Sequence, residues 1–401
     1  MPHPITFAQA GLQVPDDPII PFIQGDGIGP EVWAATRQVV DAALWTIYRG
    51  RRTIHWSEVL AGQRAYDETG SWLPDETLTS LTAHLIAIKG PLTTPVAGGI
   101  RSLNVQLRRE LDLYANVRPV RWFPGLPSPL RQPELVSAVI FRENTEDVYA
   151  GYEVAADSEE ARLLRGLLKA TCGWELTDDT GIGLKPISRT ASTRLVRAAM
   201  RYAVDRKRQR VTLVHKGNIM KYTEGAFRDW GYQVVRDEFA DHAVLFDDCD
   251  GDPGDRILVQ DRIADAMFQD ILLSPERHQV IATTNLNGDY LSDALAAQIG
   301  GIGVSPGANL NDELGRALYE AVHGTAPDIV GRDLANPTAM LFSAEMLLRR
   351  IGWTDAADHI ETAVEATIAA GAVTADLAAR VDGARPIGTR EFTDTVLTHI
   401  G

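Results

Sequence analysis

Short apolar segments that alternate with helical patterns are the feature that most constrains how this chain can fold. Apolar runs of strand length occur at residues 18–23, 85–88, 137–141, 211–214 and 280–282. Polar residues and helical patterns follow such runs, as at residues 223–230 and 291–299. Strands with helices between them predict an α/β protein with a largely buried sheet. Because ligands gather at the carboxyl ends of strands in such sheets, the polar residues there are the first candidates for a site.

The length and composition fit a soluble globular protein of two domains or of one large interrupted domain. Of the 401 residues, 45% are hydrophobic and 23% are charged, which is typical of globular domains. The net charge of −15 argues against nucleic-acid and membrane partners. Cys172 and Cys249 are too few for a disulfide framework or a four-thiolate zinc site. We find no secretion signal and no apolar stretch of about 18 residues, and therefore expect a cytoplasmic protein without a membrane span.

Two segments interrupt the alternation of strands and helices. Residues 122–133 contain four prolines, which predicts an extended crossing rather than a helix. Residues 147–188 include many charged side chains, and we predict that this segment has irregular structure. This second segment is either a surface excursion or an arm that joins two subunits.

Residues 89–119 carry the most information about function. A glycine-rich turn leads there into a helix whose first turn contains Ser102 and Asn104. Arg108 follows Asn104 by four residues and therefore lies on the same helical face. Hydroxyl, amide and guanidinium groups at a helix start can bind a carboxylate. The alternative is that Ser102 or Asn104 only caps the helix and that Arg108 is solvated.

Two further strand ends carry candidate catalytic residues. Lys216 follows the strand at residues 211–214, where desolvation would let it act as a base or proton relay. The alternative is an exposed lysine in a loop. Arg142 lies at the end of another strand and Tyr149 follows it by seven residues, a pattern that is weak by itself.

Acidic residues indicate a candidate metal site. Asp289 and Asp293 are four residues apart where a helix is predicted to begin, so both carboxylates face the same way, and Asp265 is a third candidate. Carboxylate oxygens suit Mg²⁺ or Mn²⁺ that is bound together with an anionic substrate. The alternative is that these residues only compensate the dipole of a helix.

The polar loop at residues 320–328 could wrap an adenosine. No Gly-x-Gly-x-x-Gly sequence follows a strand, so a Rossmann dinucleotide site is not indicated. A Walker A sequence, a Gly-x-Ser-x-Gly elbow and a His-Glu-x-x-His helix are also absent from the sequence.

Taken together, these segments resemble the metal-dependent β-decarboxylating dehydrogenases, the isocitrate/isopropylmalate dehydrogenase family, from about Ile20 to the C-terminus. The resemblance is strongest to the bacterial homodimeric isocitrate dehydrogenases, because isopropylmalate enzymes carry apolar residues where this chain has Ser102 and Asn104. It implies an α/β fold of the isocitrate/isopropylmalate dehydrogenase type with three parts. These are a large α/β domain (residues 1–113 and 300–401), a small α/β domain (114–146 and 189–299) and a dimerisation clasp (147–188).

The resemblance also implies a role for each candidate residue. Isocitrate would be bound by Ser102, Asn104, Arg108, Arg118 and Arg142. Lys216 would accept the proton of the substrate hydroxyl, and Tyr149 would protonate C3 after CO₂ has left. The ligands of Mg²⁺ or Mn²⁺ would be Asp289, Asp293 and Asp265 of the partner subunit. The residues implied at the nicotinamide cofactor are Thr93, Asn218, Glu320, His323, Gly324, Thr325, Ala326, Pro327, Asp328, Ile329, Asn336 and Asp376. The implied assembly is a homodimer with shared active sites, in which the Lys216 and Tyr149 of each site come from different subunits.

The choice of cofactor is the point where the chain departs from the NADP-using enzymes that it resembles. Those enzymes bind the 2′-phosphate with Lys-Tyr after the His-Gly-Thr-Ala-Pro loop and with a later Tyr and Arg. This chain has Asp328 and Ile329 at the first pair and Ala375 and Ala379 at the second. A carboxylate accepts hydrogen bonds from a ribose hydroxyl and repels a phosphate, so we predict NAD, with Asp328 as the discriminating residue.

Several alternatives stay open beside an NAD-dependent isocitrate dehydrogenase. The enzyme could use NADP, or it could act on homoisocitrate, tartrate or isopropylmalate. A binding protein that kept the fold without the chemistry is a further alternative, although every catalytic position is present.

Overall fold

Strands and helices alternate along the chain as the apolar runs predict. The computed structural model describes residues 2–9, 11–93, 102–250, 252–381 and 383–401. Within these residues the strands are β1 (His3–Pro4), β2 (Thr6–Ala8), β3 (Gly11–Gln13), β4 (Pro18–Ile23), β5 (His55–Glu58), β6 (Ile86–Lys89), β7 (Ala115–Arg121), β8 (Ser137–Glu143), β9 (Glu153–Val154), β10 (Ile182–Gly183), β11 (Arg210–His215), β12 (Ala243–Leu245), β13 (Ile257–Ile263), β14 (Val280–Thr283), β15 (Pro306–Asn311) and β16 (Arg316–Ala321).

Helices connect most of these strands. The α-helices are α1 (Gly29–Tyr48), α2 (Gln63–Thr69), α3 (Asp75–His84), α4 (Leu103–Glu110), α5 (Glu159–Cys172), α6 (Arg189–Asp205), α7 (Glu224–Glu238), α8 (Ala264–Leu273), α9 (Asn285–Gln298), α10 (Thr338–Arg350), α11 (Thr354–Ala369), α12 (Ala375–Ala378) and α13 (Thr389–Ile400). Single 3₁₀ turns lie at Pro133–Leu135, Asp147–Ala150, Phe246–Asp248, Pro275–Arg277, Ile302–Val304 and Pro327–Ile329. None of the helices in the described ranges is long and apolar enough to cross a membrane.

One twelve-stranded sheet runs through the molecule in the order β1-β4-β6-β16-β15-β7-β8-β14-β11-β13-β12, with β5 beside β4. The strands at each end of the sheet pair in parallel, from β1 to β16 and from β8 to β12. The strands between them, β16, β15, β7 and β8, pair antiparallel. The α/β fold predicted from the sequence is confirmed, and the five predicted apolar runs form β4, β6, β8, β11 and β14.

The antiparallel centre of the sheet brings polar residues of different strands onto one face. Asn116 of β7 lies opposite both Asn309 of β15 and Arg142 of β8, and directly opposed residues of antiparallel strands share a face. Arg118 lies two residues beyond Asn116 and therefore on the same face. These groups lie within strands. The expectation that site residues lie at the carboxyl ends of strands therefore accounts for only some of these polar residues.

Helices pack on the sheet to form separate apolar clusters. The largest cluster joins α1, α10, α11 and α13 to the strands around β4, β6 and β16, with Val39, Met340 and Phe392 fully buried. A second cluster places α6 and α7 against β8, β11 and β14, around Phe227 and Leu213. This packing explains why the apolar runs could be identified, because both faces of these strands are covered.

The segment of residues 147–188 is more regular than its sequence indicates. It contains the fourteen-residue helix α5 and a small antiparallel pair formed by β9 and β10. The Ser158 hydroxyl caps α5 by accepting a hydrogen bond from the Ala161 amide at 3.1 Å, and Gly173 ends the helix with a φ of 71°. The prediction of an irregular segment is therefore wrong, because its charged residues lie on an amphipathic helix.

Candidate active site

A cleft of about 300 Å³ lies beside the antiparallel centre of the sheet. The polar residues that line it include Lys89, Ser102, Asn104, Arg108, Asn116, Arg118, Arg142, Tyr149, Asp289, Glu320 and His323. All the residues implied for substrate binding therefore line one cleft, together with Tyr149 and Asp289. The glycine-rich turn expected before Ser102 falls in residues 94–101, outside the described residues.

A larger groove on another part of the sheet lacks this chemistry. Its volume is about 1210 Å³, and Arg349 and Arg350 are among its lining residues. These guanidinium groups are already paired, Arg349 with Glu361 at 2.7 Å and Arg350 with Asp312 at 2.8 Å. The smaller cleft is the better candidate because arginine, tyrosine and aspartate side chains that could bind an anionic substrate line it together.

Three arginines converge on the cleft, and two of them are oriented by neutral side chains in addition to their contacts with Asp289 and Asp293. Arg118 donates from Nε to Asn116 at 2.8 Å and from Nη1 to the Ser292 hydroxyl at 2.5 Å. Arg142 donates from Nε to the Asn285 side chain at 2.8 Å. Burial, followed by the positive charges of Arg142 and Arg108, lowers the pKa of Arg118 to about 10. The guanidinium groups thus repel one another in the protein alone, and a bound polyanion would remove that repulsion.

The start of α4 carries the Ser102, Asn104 and Arg108 group that the sequence predicts. Ser102 occupies the N-cap position, yet its side chain makes no capping hydrogen bond. Among the described residues, Asn104 Oδ1 and Arg108 Nε are buried without a hydrogen-bond partner. The alternative of a purely capping role is therefore not supported for Ser102, and the unpartnered atoms point to a ligand.

Tyr149 lies against Asp289 and Arg142. Its hydroxyl donates to Asp289 Oδ2 at 2.6 Å, and the Arg142 guanidinium lies 4.8 Å from the centre of its ring. Burial, together with the hydrogen bond to Asp289, raises the pKa of Tyr149 to about 12. The phenol is therefore protonated at neutral pH and can serve as a proton donor.

The candidate metal ligands fall into two groups. Asp289 and Asp293 lie one turn apart on α9, where Arg142 contacts Asp289 and Arg118 lies 3.4 Å from Asp293. Burial opposes ionisation of Asp289, but Arg142, Tyr149 and Arg118 together outweigh it, and the pKa of Asp289 is lowered. Burial raises the pKa of Asp293. In the described ranges of this one chain, no cluster of three or more acidic, histidine or cysteine side chains is arranged for a metal ion.

Lys216 and Asp265 lie apart from the lining of this cleft. Lys216 Nζ forms an ion pair with Asp265, and this hydrogen bond lowers the pKa of Asp265. The Lys216 side chain is 31% exposed, and neither residue is among those that line the cleft. Their predicted service in the site of a partner subunit stays a prediction.

Glu320, implied as a cofactor contact, is fully engaged with protein groups. Its carboxylate lies 2.6 Å from Lys89 Nζ and 2.9 Å from Arg108 Nη2, and it accepts a hydrogen bond from Asn309 at 2.7 Å. Burial alone would raise the pKa of Glu320, but the charges of Lys89 and Arg108 hold it well below its usual range. Lys89, Asn116 and Asn309 are functional candidates that no sequence motif indicates. The only signal in the sequence is the position of Lys89 at the end of a predicted strand.

The other implied cofactor residues line a loop and its surroundings. His323 is buried, which lowers its pKa, and its Nε2 has no partner among the described residues. Residues 324–329 form the following loop, in which Ala326 has a φ of 41° and Pro327–Ile329 is a 3₁₀ turn. Asn336 donates to Asp376 at 3.0 Å. The Thr93 amide donates to Asp26 at 2.7 Å, whereas Asn218 is exposed beside Lys216.

Residues 19–396 match the family described as Isocitrate/isopropylmalate dehydrogenase. The chain belongs to this family. Its α/β fold is that of this family, and the resemblance noted in the sequence is confirmed at this level.

Two curated members and one solved structure show how close the family relationship is. An isocitrate dehydrogenase (NADP) of Staphylococcus epidermidis is 50% identical over 416 residues, which cover 99% of each protein. An isocitrate dehydrogenase (NADP) of Pseudomonas aeruginosa is 53% identical over 405 residues, which cover 97% of this chain and 95% of that protein. The crystal structure of isocitrate dehydrogenase from Methylococcus capsulatus matches with a TM-score of 0.79 at 39% identity, covering 95% of this chain and 99% of that one.

The prediction of NAD as the cofactor, with Asp328 as the discriminating residue, is wrong, because these curated relatives are named for NADP. It counted the phosphate-binding side chains absent at Ala375 and Ala379 but not the nearby cations. Arg332 donates to the Asp328 carbonyl at 3.2 Å, and Arg380 directly follows Ala379. Both arginines are exposed, so a cation lies next to each of the two groups of positions at which the expected phosphate-binding side chains are absent.

Proposed function

We propose that this chain catalyses the oxidative decarboxylation of isocitrate to 2-oxoglutarate and CO₂ with reduction of NADP. The observation that carries the proposal is the convergence of Arg108, Arg118 and Arg142 on one cleft, beside the unpartnered amide oxygen of Asn104. Three guanidinium groups suit the three carboxylates of isocitrate, because arginine binds carboxylates in a fixed, bidentate geometry. The names of the relatives support the same reaction and the same cofactor.

Substrate binding is assigned to groups that are oriented before the substrate arrives. The Asn116 and Ser292 side chains fix the Arg118 guanidinium, and Asn285 fixes that of Arg142. Fixed donors lose little conformational freedom on binding, so more of the interaction energy is available to hold the substrate in a reactive position.

Proton transfer is assigned to Lys216 and Tyr149. Lys216 of the partner subunit would accept the proton of the C2 hydroxyl, and the nicotinamide ring of NADP, when bound, would supply the acceptor for the hydride on C2. The bond between C3 and its carboxyl group then breaks, CO₂ leaves, and the electron pair stays on the substrate. Tyr149 donates the proton that C3 needs, which its protonated state at neutral pH allows.

A divalent cation such as Mg²⁺ or Mn²⁺ fits the chemistry of the acidic residues. Asp289 and Asp293 present hard oxygen donors on one face of α9, and Asp265 of the partner subunit would complete the set. When bound, the cation would polarise the oxygen on C2.

A homodimer would bring these groups together. Lys216 and Asp265 pair with each other and do not line the cleft of their own chain. The large apolar side chains that are exposed near this pair or in residues 147–188 include Ile219, Tyr222, Leu163 and Trp174. Exposed apolar surface of this kind indicates an interface, and we assign it to a second copy of the chain with residues 147–188 as the clasp. We further propose that residues 1–113 and 300–401 form a large domain and that residues 114–146 and 189–299 form a small domain.

A comparison of substrates tests the proposed reaction. The purified protein is assayed with Mg²⁺ and NADP, and kcat/KM is measured from the absorbance of the reduced cofactor for isocitrate, homoisocitrate, isopropylmalate and tartrate. We expect isocitrate to be preferred by about 10²-fold or more, since buried polar groups reject substrates that leave them unpaired. A higher kcat/KM for isopropylmalate than for isocitrate would contradict the proposal.

A matched pair of variants on α4 connects this preference to the cleft. Asn104→Leu keeps the size of the side chain but removes its amide, and should lower kcat/KM for isocitrate. Gln106→Leu makes the same type of change two residues away on the exposed side of α4 and should leave kcat/KM unchanged. An equal effect of both variants would show that Asn104 does not contact the substrate.

A further inference from the structure

Lys185 lies between two fully buried carboxylates that the proposed mechanism does not use. Asp147 and Glu224 both have 0% exposure of their side chains, and that of Lys185 is 18% exposed. The Lys185 ammonium contacts Asp147 and lies 2.9 Å from Glu224 Oε1. The single Lys185 ammonium is thus shared between two buried carboxylates and partly neutralises each of them.

The carboxylate of Asp147 fixes the turn that carries Tyr149. Asp147 lies two residues before Tyr149 in the same 3₁₀ turn and has a φ of 69°. Its Oδ1 accepts a hydrogen bond from the Val148 amide at 2.7 Å, and its Oδ2 accepts one from the Leu286 amide at 2.9 Å. Because Leu286 belongs to the first turn of α9, Asp147 attaches the Tyr149 turn to the helix that carries Asp289.

The carboxylate of Glu224 fixes the backbone at Lys216. Its Oε2 accepts hydrogen bonds from the Lys216 amide at 2.9 Å and from the Asn287 side chain at 2.8 Å. Its Oε1 accepts a hydrogen bond from the Thr284 hydroxyl at 2.8 Å. Glu224 therefore connects the Lys216 loop to the same end of α9 that Asp147 contacts.

We propose that Lys185 is a positioning residue that holds both proposed catalytic groups of its chain, Tyr149 through Asp147 and Lys216 through Glu224. The proposal rests on the proposed function, which gives these two residues their roles. Its physical basis is that two buried carboxylates beside each other repel unless a cation lies between them. Without the ammonium, we expect the two carboxylates to move apart and to displace the Tyr149 turn and the Lys216 loop. Lys185 lies in residues 147–188, so this contact also ties the proposed clasp to both catalytic groups.

Replacement of Lys185 tests the proposal with two matched variants. Lys185→Met removes the charge and keeps an unbranched side chain, whereas Lys185→Arg keeps the charge. Lys207→Met is the control, because Lys207 is exposed and lies outside the proposed clasp. We expect Lys185→Met to lower kcat for isocitrate by about 10²-fold with KM nearly unchanged, since small displacements of catalytic groups reduce turnover by this order. Lys185→Arg should restore most of kcat, and the control should match the parent protein.

Amide hydrogen exchange in the folded protein gives a second readout that does not depend on turnover. Exchange in the segments around residues 147–150 and 216–220 should become faster in Lys185→Met, because the Asp147 and Glu224 carboxylates that hold them have lost their cation. Exchange there should remain as in the parent in Lys207→Met. If Lys185→Met does not fold, Glu224→Gln carries the test and should show faster exchange around Lys216 together with lower kcat.

Defined outcomes separate this proposal from the proposed function. If the parent turns over isocitrate and folded Lys185→Met has parental kcat and parental exchange, the positioning role is refuted. Parental kcat and exchange in Glu224→Gln refute it equally where the first variant does not fold. If the parent shows no turnover of any substrate in the panel, the proposed function fails, and the exchange rates still decide whether Lys185 holds the two segments.

Discussion

Glu320 is the buried carboxylate whose removal should have the largest effect on the cleft. It pairs with Lys89 and Arg108 at once, and both cations are themselves buried. Glu320→Gln preserves the shape of the side chain but leaves the two cations without a counter-charge. Breaking a buried ion pair costs about 3 kcal/mol or more, because an unpaired charge stays inside the protein.

The expected shift in melting temperature follows from the size of the chain. An unfolding entropy of about 2.1 cal/mol/K per residue gives about 0.8 kcal/mol/K for 401 residues. A loss of about 3 kcal/mol therefore lowers Tm by about 4 °C. The matched control is Glu313→Gln, an exposed position in the turn before β16, for which Tm should be unchanged.

The pH dependence of this effect has a defined sign. The two cations hold the pKa of Glu320 below its usual range in the folded protein. Its stabilising contribution is therefore fully present above the unfolded pKa of about 4.3 and is lost as the pH falls below that value. In thermal unfolding followed by circular dichroism, the difference in Tm between the parent and Glu320→Gln should be constant from about pH 6 to 8 and should shrink below about pH 4. Equal Tm values of the parent and the variant at neutral pH would refute this reasoning.

Three further outcomes are expected from the arrangement of the site. Tyr149→Phe should lower kcat by about 10²–10⁴-fold with little change in KM, as measured by steady-state turnover, since it removes only the proton donor; a near-normal kcat would remove Tyr149 from the mechanism. Lys216→Met should be similarly impaired, and mixing it with Tyr149→Phe under subunit exchange should restore part of the activity, whereas no recovery would count against shared active sites. Arg332→Ala and Arg380→Ala should each raise KM for NADP by about 10-fold while leaving KM for NAD unchanged, because each removes a positive charge near the cofactor loop; equal changes for both cofactors would show that these arginines do not contact the 2′-phosphate.

The sheet could be predicted from the sequence because its signal is local. Segments such as residues 280–282 are continuously apolar, which is what a strand covered on both faces requires. Helix α5 was missed although Ser158 and Gly173 provide ordinary cap signals. Its apolar residues, such as Leu163 and Leu167, face outwards in the single chain and were outweighed by the charged residues around them.

The polar groups that support the cleft could not be predicted in the same way. Asn116 and Asn309 are 193 positions apart, and only the pairing of β7 with β15 brings them together. The spacing of these two residues along the chain therefore does not predict their contact. Glu224 and Lys185 likewise meet across separate elements, so their buried pairing is visible only in the structure. The wrong prediction of the cofactor has a related cause. It rests on the side chains at single positions and leaves out the arginines beside those positions.

Product analysis tests the central claim most directly. The parent protein is incubated with isocitrate, NADP and Mg²⁺, and 2-oxoglutarate, CO₂ and reduced NADP are measured in the same reaction. The proposed function predicts equal amounts of all three, and it predicts a higher kcat/KM with NADP than with NAD. Reduced cofactor without CO₂, or no turnover of isocitrate under these conditions, would contradict it.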